Sequence, residues 1–64
     1  MSNFKMIADL GYVNLDNATK ITKISQLTDD TWTFDIIYVN GDYDIVRRDT
    51  KDECEAVIRQ LLEK

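Results

Sequence analysis

Carboxylates are the most abundant reactive groups in this sequence, and the residues that usually put them to catalytic use are scarce. Twelve Asp and Glu stand against eight Lys and Arg, with no histidine and a single cysteine. General acid–base and nucleophilic catalysis need a proton carrier poised near neutrality, or a nucleophile beside a base. Cys54 has neither neighbour in the sequence, and it falls on an apolar helical stripe, which suits a buried structural thiol. A chain this short also has little room for a water-excluding cleft. The expectation is a protein that is not an enzyme.

Two other chemistries have candidate residues. Asn40, Asp42 and Asp44 place oxygen donors at alternate positions, as in the first half of a calcium loop. Such a loop needs glycine at its sixth place and glutamate at its twelfth, and those places hold Ile45 and Lys51. No metal site is expected. With Gly11 and Gly41 the only glycines, the chain has no phosphate-binding loop, and no cofactor is expected either. Arg47, Arg48 and Lys51, with Lys20 and Lys23, form a candidate nucleic-acid site that Trp32, Tyr38 and Tyr43 could extend by stacking. Arg47 and Arg48 must point to opposite faces of a strand, however, and Asp44, Asp49 and Asp52 lie close by. Charge pairing at a strand edge is the first reading and nucleic-acid binding the alternative.

The elements that would carry these groups follow from periodicity. In "FKMIADL" Phe4, Met6, Ala8 and Leu10 alternate with Lys5, Ile7 and Asp9, a strand with one buried face, and Gly11 marks a turn. "YVNL" reads as a second short strand, followed by Asp16-Asn17 as turn residues. In "TKITKISQL" the β-branched residues favour a strand with a bulge, with a short helix over 17–25 as the alternative. Trp32, Phe34, Ile36 and Tyr38 share one face of a further strand that runs into Asn40-Gly41, the strongest local hairpin signal. Thr50 and Glu53 form a capping box, in which each side chain is expected to meet the other's free backbone N–H. Cys54, Val57, Ile58, Leu61 and Leu62 then make one helical stripe, with Glu55, Arg59, Gln60 and Glu63 turned outward. The sum is one α+β domain, an antiparallel meander of four to five strands with a C-terminal amphipathic helix on one face.

Read as a two-residue loop, Asn40-Gly41 pairs position 38 with 43, 36 with 45 and 35 with 46. Tyr38, Tyr43, Ile36 and Ile45 then belong to the helix-covered face. Ile37, Val39 and Val46 fall on the other, among Asp35, Asp42, Asp44 and Arg48. These seven residues are the candidate protein interface, unless the N-terminal segment covers them or they simply face water. Burial of each aliphatic residue would contribute about 1.5–3 kcal/mol.

Charge and composition narrow the partners. The net charge is −4, with four acids against three bases in residues 1–32 and eight against five in residues 33–64. That balance disfavours nucleic acid and favours a protein with a basic surface, while the marginal stability expected of so short a chain favours a second copy. One cysteine excludes an internal disulfide, the first residues lack signal-peptide character, and no apolar run spans a bilayer, so a cytoplasmic protein outside the membrane is expected.

The succession of Gly11-Tyr-Val-Asn-Leu-Asp-Asn, Ile21 and Ile24, a Trp-bearing strand, a hairpin and an amphipathic helix resembles the layout of short, uncharacterised bacterial and bacteriophage proteins built as a meander plus one helix. The resemblance implies a regulatory accessory protein, one that in a phage or mobile element would inhibit a host defence protein from within the host cytoplasm.

Overall fold

Residues 4–63 are described by the structure, a computed structural model; the first turn falls at residues 8–10, so Gly11, expected in a turn, opens a strand instead. Strand β1 (Phe4–Ile7) and strand β2 (Gly11–Asn14) form an antiparallel hairpin, with Gly11 at φ +79°, a backbone conformation that suits a residue without Cβ. A single 3₁₀ turn over Leu15–Asn17 leads into β3 (Ala18–Ile21), β4 (Ser25–Gln26), β5 (Trp32–Tyr38), β6 (Tyr43–Arg48) and the helix α1 (Lys51–Leu62). The α+β class, with antiparallel sheets and one C-terminal helix, is as the sequence indicated.

The "TKITKISQL" segment is a strand broken in the middle. Both β3 and β4 pair with the same side of β5, β3 along Ile36–Tyr38 and β4 along Trp32–Thr33, and a bulge lies between Ala18 and Lys20. Thr22 bridges the gap: its N–H donates to the Asp35 carbonyl (2.9 Å), and its hydroxyl accepts from the Asp35 N–H (2.8 Å). A side-chain oxygen thus takes the place of a ladder carbonyl, and the strand can bend there without orphaning β5.

The β5–β6 hairpin differs from the expected one by a single residue. Tyr38 N–H donates to the Asp42 carbonyl (2.8 Å) and Gly41 N–H to the Tyr38 carbonyl (3.0 Å), so the loop is Val39-Asn40-Gly41. Gly41 sits at φ +90° while Asn40 stays at negative φ, whereas a two-residue type I′ turn needs positive φ at both central residues. Pairing therefore runs Ile37 with Tyr43, Ile36 with Asp44, Asp35 with Ile45 and Phe34 with Val46. A slip of one residue sends each β6 side chain to the other face.

The inner face holds the core: Phe34, Ile36 and Val46 from the sheet, Cys54, Val57 and Leu61 from α1, and Ile7 and Val13 from the first hairpin. Helix and hairpin thus share one face of the sheet. Four expectations are corrected. Val46 is fully buried instead of facing outward, and Asp44 and Arg48 also turn inward. Tyr43 and Ile45 leave the core for solvent, at 60% and 53% exposure. In β1 the phase is reversed, with Ile7 buried and Phe4 and Met6 outside. "FKMI" has apolar residues on both faces, and Ile7 is the one that meets Val13 against the sheet. The stripe on α1 is narrower than expected, because Leu62 is exposed.

The helix begins as its sequence directs. Thr50 Oγ1 accepts the Glu53 N–H (3.2 Å), but the Glu53 carboxylate takes the Thr50 hydroxyl proton (3.1 Å), so the reciprocal side-chain-to-backbone bond is replaced by a side-chain pair. Among the described residues no helix is long and apolar enough to cross a membrane.

Candidate protein-interaction face

The alternation of β5 and β6 builds the outer face from Thr33, Asp35 and Ile37 opposite Arg47, Ile45 and Tyr43. Lys20 of β3 lies beside Ile37 at the far edge. No described element packs over this surface. Tyr43 and Ile45 are more than half exposed, Val39 in the adjoining loop is 71% exposed, and Ile37 is half-buried between its neighbours. The result is an apolar group of Ile37, Tyr43, Ile45 and Val39 toward the hairpin end of the face, with Asp35 directly beside Ile45, Lys20 beside Ile37 and Arg47 at the opposite end.

Of the residues expected at this interface, the structure brings Ile37, Val39 and Asp35 together and adds Tyr43, Ile45 and Arg47. It removes Val46, Asp44 and Arg48. Asp44 faces the inner side and accepts the Tyr38 hydroxyl proton (2.6 Å). Burial of the phenol, reinforced by this carboxylate, raises the Tyr38 pKa far above its ordinary range. Asp42 stays at the loop, where its N–H donates to Asn40 Oδ1 (3.0 Å) and its carboxylate accepts from Asn40 Nδ2 (3.0 Å). Asn40, Asp42 and Asp44 are therefore committed to the hairpin's own bonds and do not converge on one point.

The missed residues left a faint signal. "YDIVRR" offers one aliphatic residue to each face, Ile45 to one and Val46 to the other, so hydrophobic alternation could not choose the register. Only the loop length decides it, and Val-Asn-Gly closes equally well on paper as two residues or three.

The basic residues do not gather into one patch. Arg47 on the outer face is paired with Asp29, and its Nε donates to Thr31 Oγ1 (3.1 Å). Hydrogen bonds from Thr31, helped by Arg47, lower the Asp29 pKa. Arg48 grips Asp9 through both guanidinium nitrogens, at 3.0 and 3.2 Å, tying the first hairpin's turn to the end of β6. That hydrogen bond, with the charge of Arg48, depresses the Asp9 pKa. Lys20 lies on β3, Lys23 in the gap before β4, and Lys51 at the start of α1. Cys54 is fully buried, and burial raises its thiol pKa, which opposes formation of the reactive thiolate.

Comparison with known protein families, curated proteins and solved structures gives no match.

Proposed function

We propose that this chain is a small non-enzymatic protein-binding module whose outer sheet face takes a partner protein. The observation that supports it is the uncovered group Ile37, Tyr43 and Ile45 on the sheet face opposite the one that carries α1 and the first hairpin. Tyr43 supplies a large, stiff contact surface at little entropic cost, and the type is enriched at interface cores. The net charge of −4 favours a partner with a basic surface, drawn in by long-range attraction. In use, such a module acts by occlusion: it covers a working surface of a larger protein. Inhibition of a host defence or regulatory protein by a phage or mobile-element accessory protein is the setting that suits its size and charge.

The test is comparative capture from a host lysate with three baits: wild type, Ile45→Lys on the outer face, and Glu55→Lys on α1. A partner bound by wild type and Glu55→Lys but lost from Ile45→Lys supports the outer face. Equal capture by all three baits places binding elsewhere and overturns the proposal.

A further inference from the structure

Away from the outer sheet face, α1 carries an apolar feature on each flank. On one flank the first hairpin turns Phe4, Met6 and Tyr12 outward, 52%, 52% and 76% exposed. Met6 and Tyr12 are directly opposed across the strands and Phe4 lies opposite Asn14, so no charged side chain shares this hairpin face. On the other flank α1 and β3 leave an open groove of about 830 Å³, walled by Leu15, Ala18, Ile21, Ile58, Leu61 and Leu62 and edged by Thr19, Thr22, Lys20 and Glu63. Its size is that of pockets that enclose large side chains or small ligands, roughly 300–1,000 Å³. Between the two runs the exposed stripe of the helix, with Arg59, Gln60 and Glu63. Gln60 Nε2 donates to the Met6 carbonyl (3.1 Å) and fixes the hairpin against that stripe.

We propose that a second copy of this chain docks across α1, with the Phe4–Met6–Tyr12 face of each copy seated in the β3–α1 groove of the other. One molecule carries both a projecting apolar face and an apolar groove, so both halves of the contact are present in every copy. Such knob-and-groove contacts build open chains unless a rotation closes them. Here the two features border the same helical stripe, and a two-fold axis through it closes the pair. Area favours closure too. Three half-exposed side chains fall short of the roughly 800 Å² per partner of a standard interface, whereas reciprocal docking makes the contact twice and adds the helix stripe. Charge permits it: the projecting Phe4–Met6–Tyr12 face is uncharged, and the groove it enters carries one base and one acid, Lys20 and Glu63, so docking brings no net like charge together. Antiparallel helices also bring Arg59 of each copy toward Glu63 of the other. The association leaves the outer sheet face open and does not depend on what binds there.

Sedimentation equilibrium of the whole chain, with cysteine cross-linking, tests this. Wild type is expected to be dimeric, Met6→Asp and Leu62→Asp monomeric, and Ile45→Lys still dimeric. Circular dichroism should be unchanged in all, because the substituted side chains are exposed. Under mild oxidation a mixture of Met6→Cys and Leu62→Cys chains should give a mixed disulfide in greater yield than either variant alone, since both thiols must approach within about 7 Å between Cα atoms. A wild type that stays monomeric overturns the proposal. So does a dimer that survives Met6→Asp or is lost in Ile45→Lys, which would place the contact on the outer sheet face.

Discussion

Val46 and Ile45 are neighbours in sequence with opposite fates, and the contrast tests the hairpin register at single-residue resolution. Val46 is fully buried under α1 and the first hairpin, while Ile45 is half exposed on the other face. An aspartate at Val46 would leave an unpaired charge in the core, at a cost of several kcal/mol. A chain of this size holds only about 3–5 kcal/mol of net stability. Val46→Asp is therefore expected to be unfolded, and Ile45→Asp to keep a cooperative urea transition with a midpoint near that of wild type. Under the two-residue loop the outcomes would be exchanged. Asp9 offers a gentler probe. Its pKa is lowered in the folded state by Arg48, so the interaction stabilises above the unfolded carboxylate value, about 4, and is lost as pH falls through the lower folded value. The pair is substantially solvent-exposed on the Asp9 side, which limits its contribution to under about 1 kcal/mol. Asp9→Asn should lower the urea midpoint slightly at pH 7, and the difference from wild type should shrink as pH falls through the lowered Asp9 value.

The elements differ in how far local sequence decides them. The helix was legible almost in full, because its cap and its apolar stripe are short-range features that tertiary contacts only reinforce. Thr50→Ala removes the acceptor for the Glu53 N–H and is expected to cost about 1 kcal/mol, read as a lower denaturation midpoint. The hairpin was legible as a hairpin but not in register, since register rests on one φ angle at Asn40. Gly41→Ala strains a position at φ +90°, where the surroundings leave space for a Cβ but the backbone does not favour one. It should destabilise by about 1 kcal/mol or more. The first strand was legible in its existence and wrong in its phase, because Phe4 and Met6 on one face balance Ile7 on the other. The candidate site inherited the register fault alone: Asp35 and Ile37 of β5 and Val39 of the loop stay on the outer face, because Trp32, Phe34, Ile36 and Tyr38 fix which side of β5 turns inward, whereas the β6 residues were exchanged for their neighbours.

At the scale of the whole molecule, the first hairpin and α1 share one face of the sheet and leave the other uncovered. Eight of the described residues make the core, and all the exposed large apolar side chains among them except Leu27 lie in two separate places, on and beside the outer sheet face and along the flanks of α1. Two surfaces with different chemistry allow two associations at once, one with a copy of itself across the helix and one with a partner on the sheet. Disrupting one should leave the other intact, which is why each variant above serves as the control for the other.

The lone cysteine makes the chain its own clock. Cys54 has no accessible surface and touches neither proposed interface, so an excess of thiol reagent can reach it only while the molecule is open. The labelling rate of the unmodified protein then reports how often the fold opens, without a dye or a mutation. A ligand that binds only the closed form slows that rate by the factor 1 + [L]/Kd, which makes an unaltered chain sufficient to measure the affinity of any partner it meets.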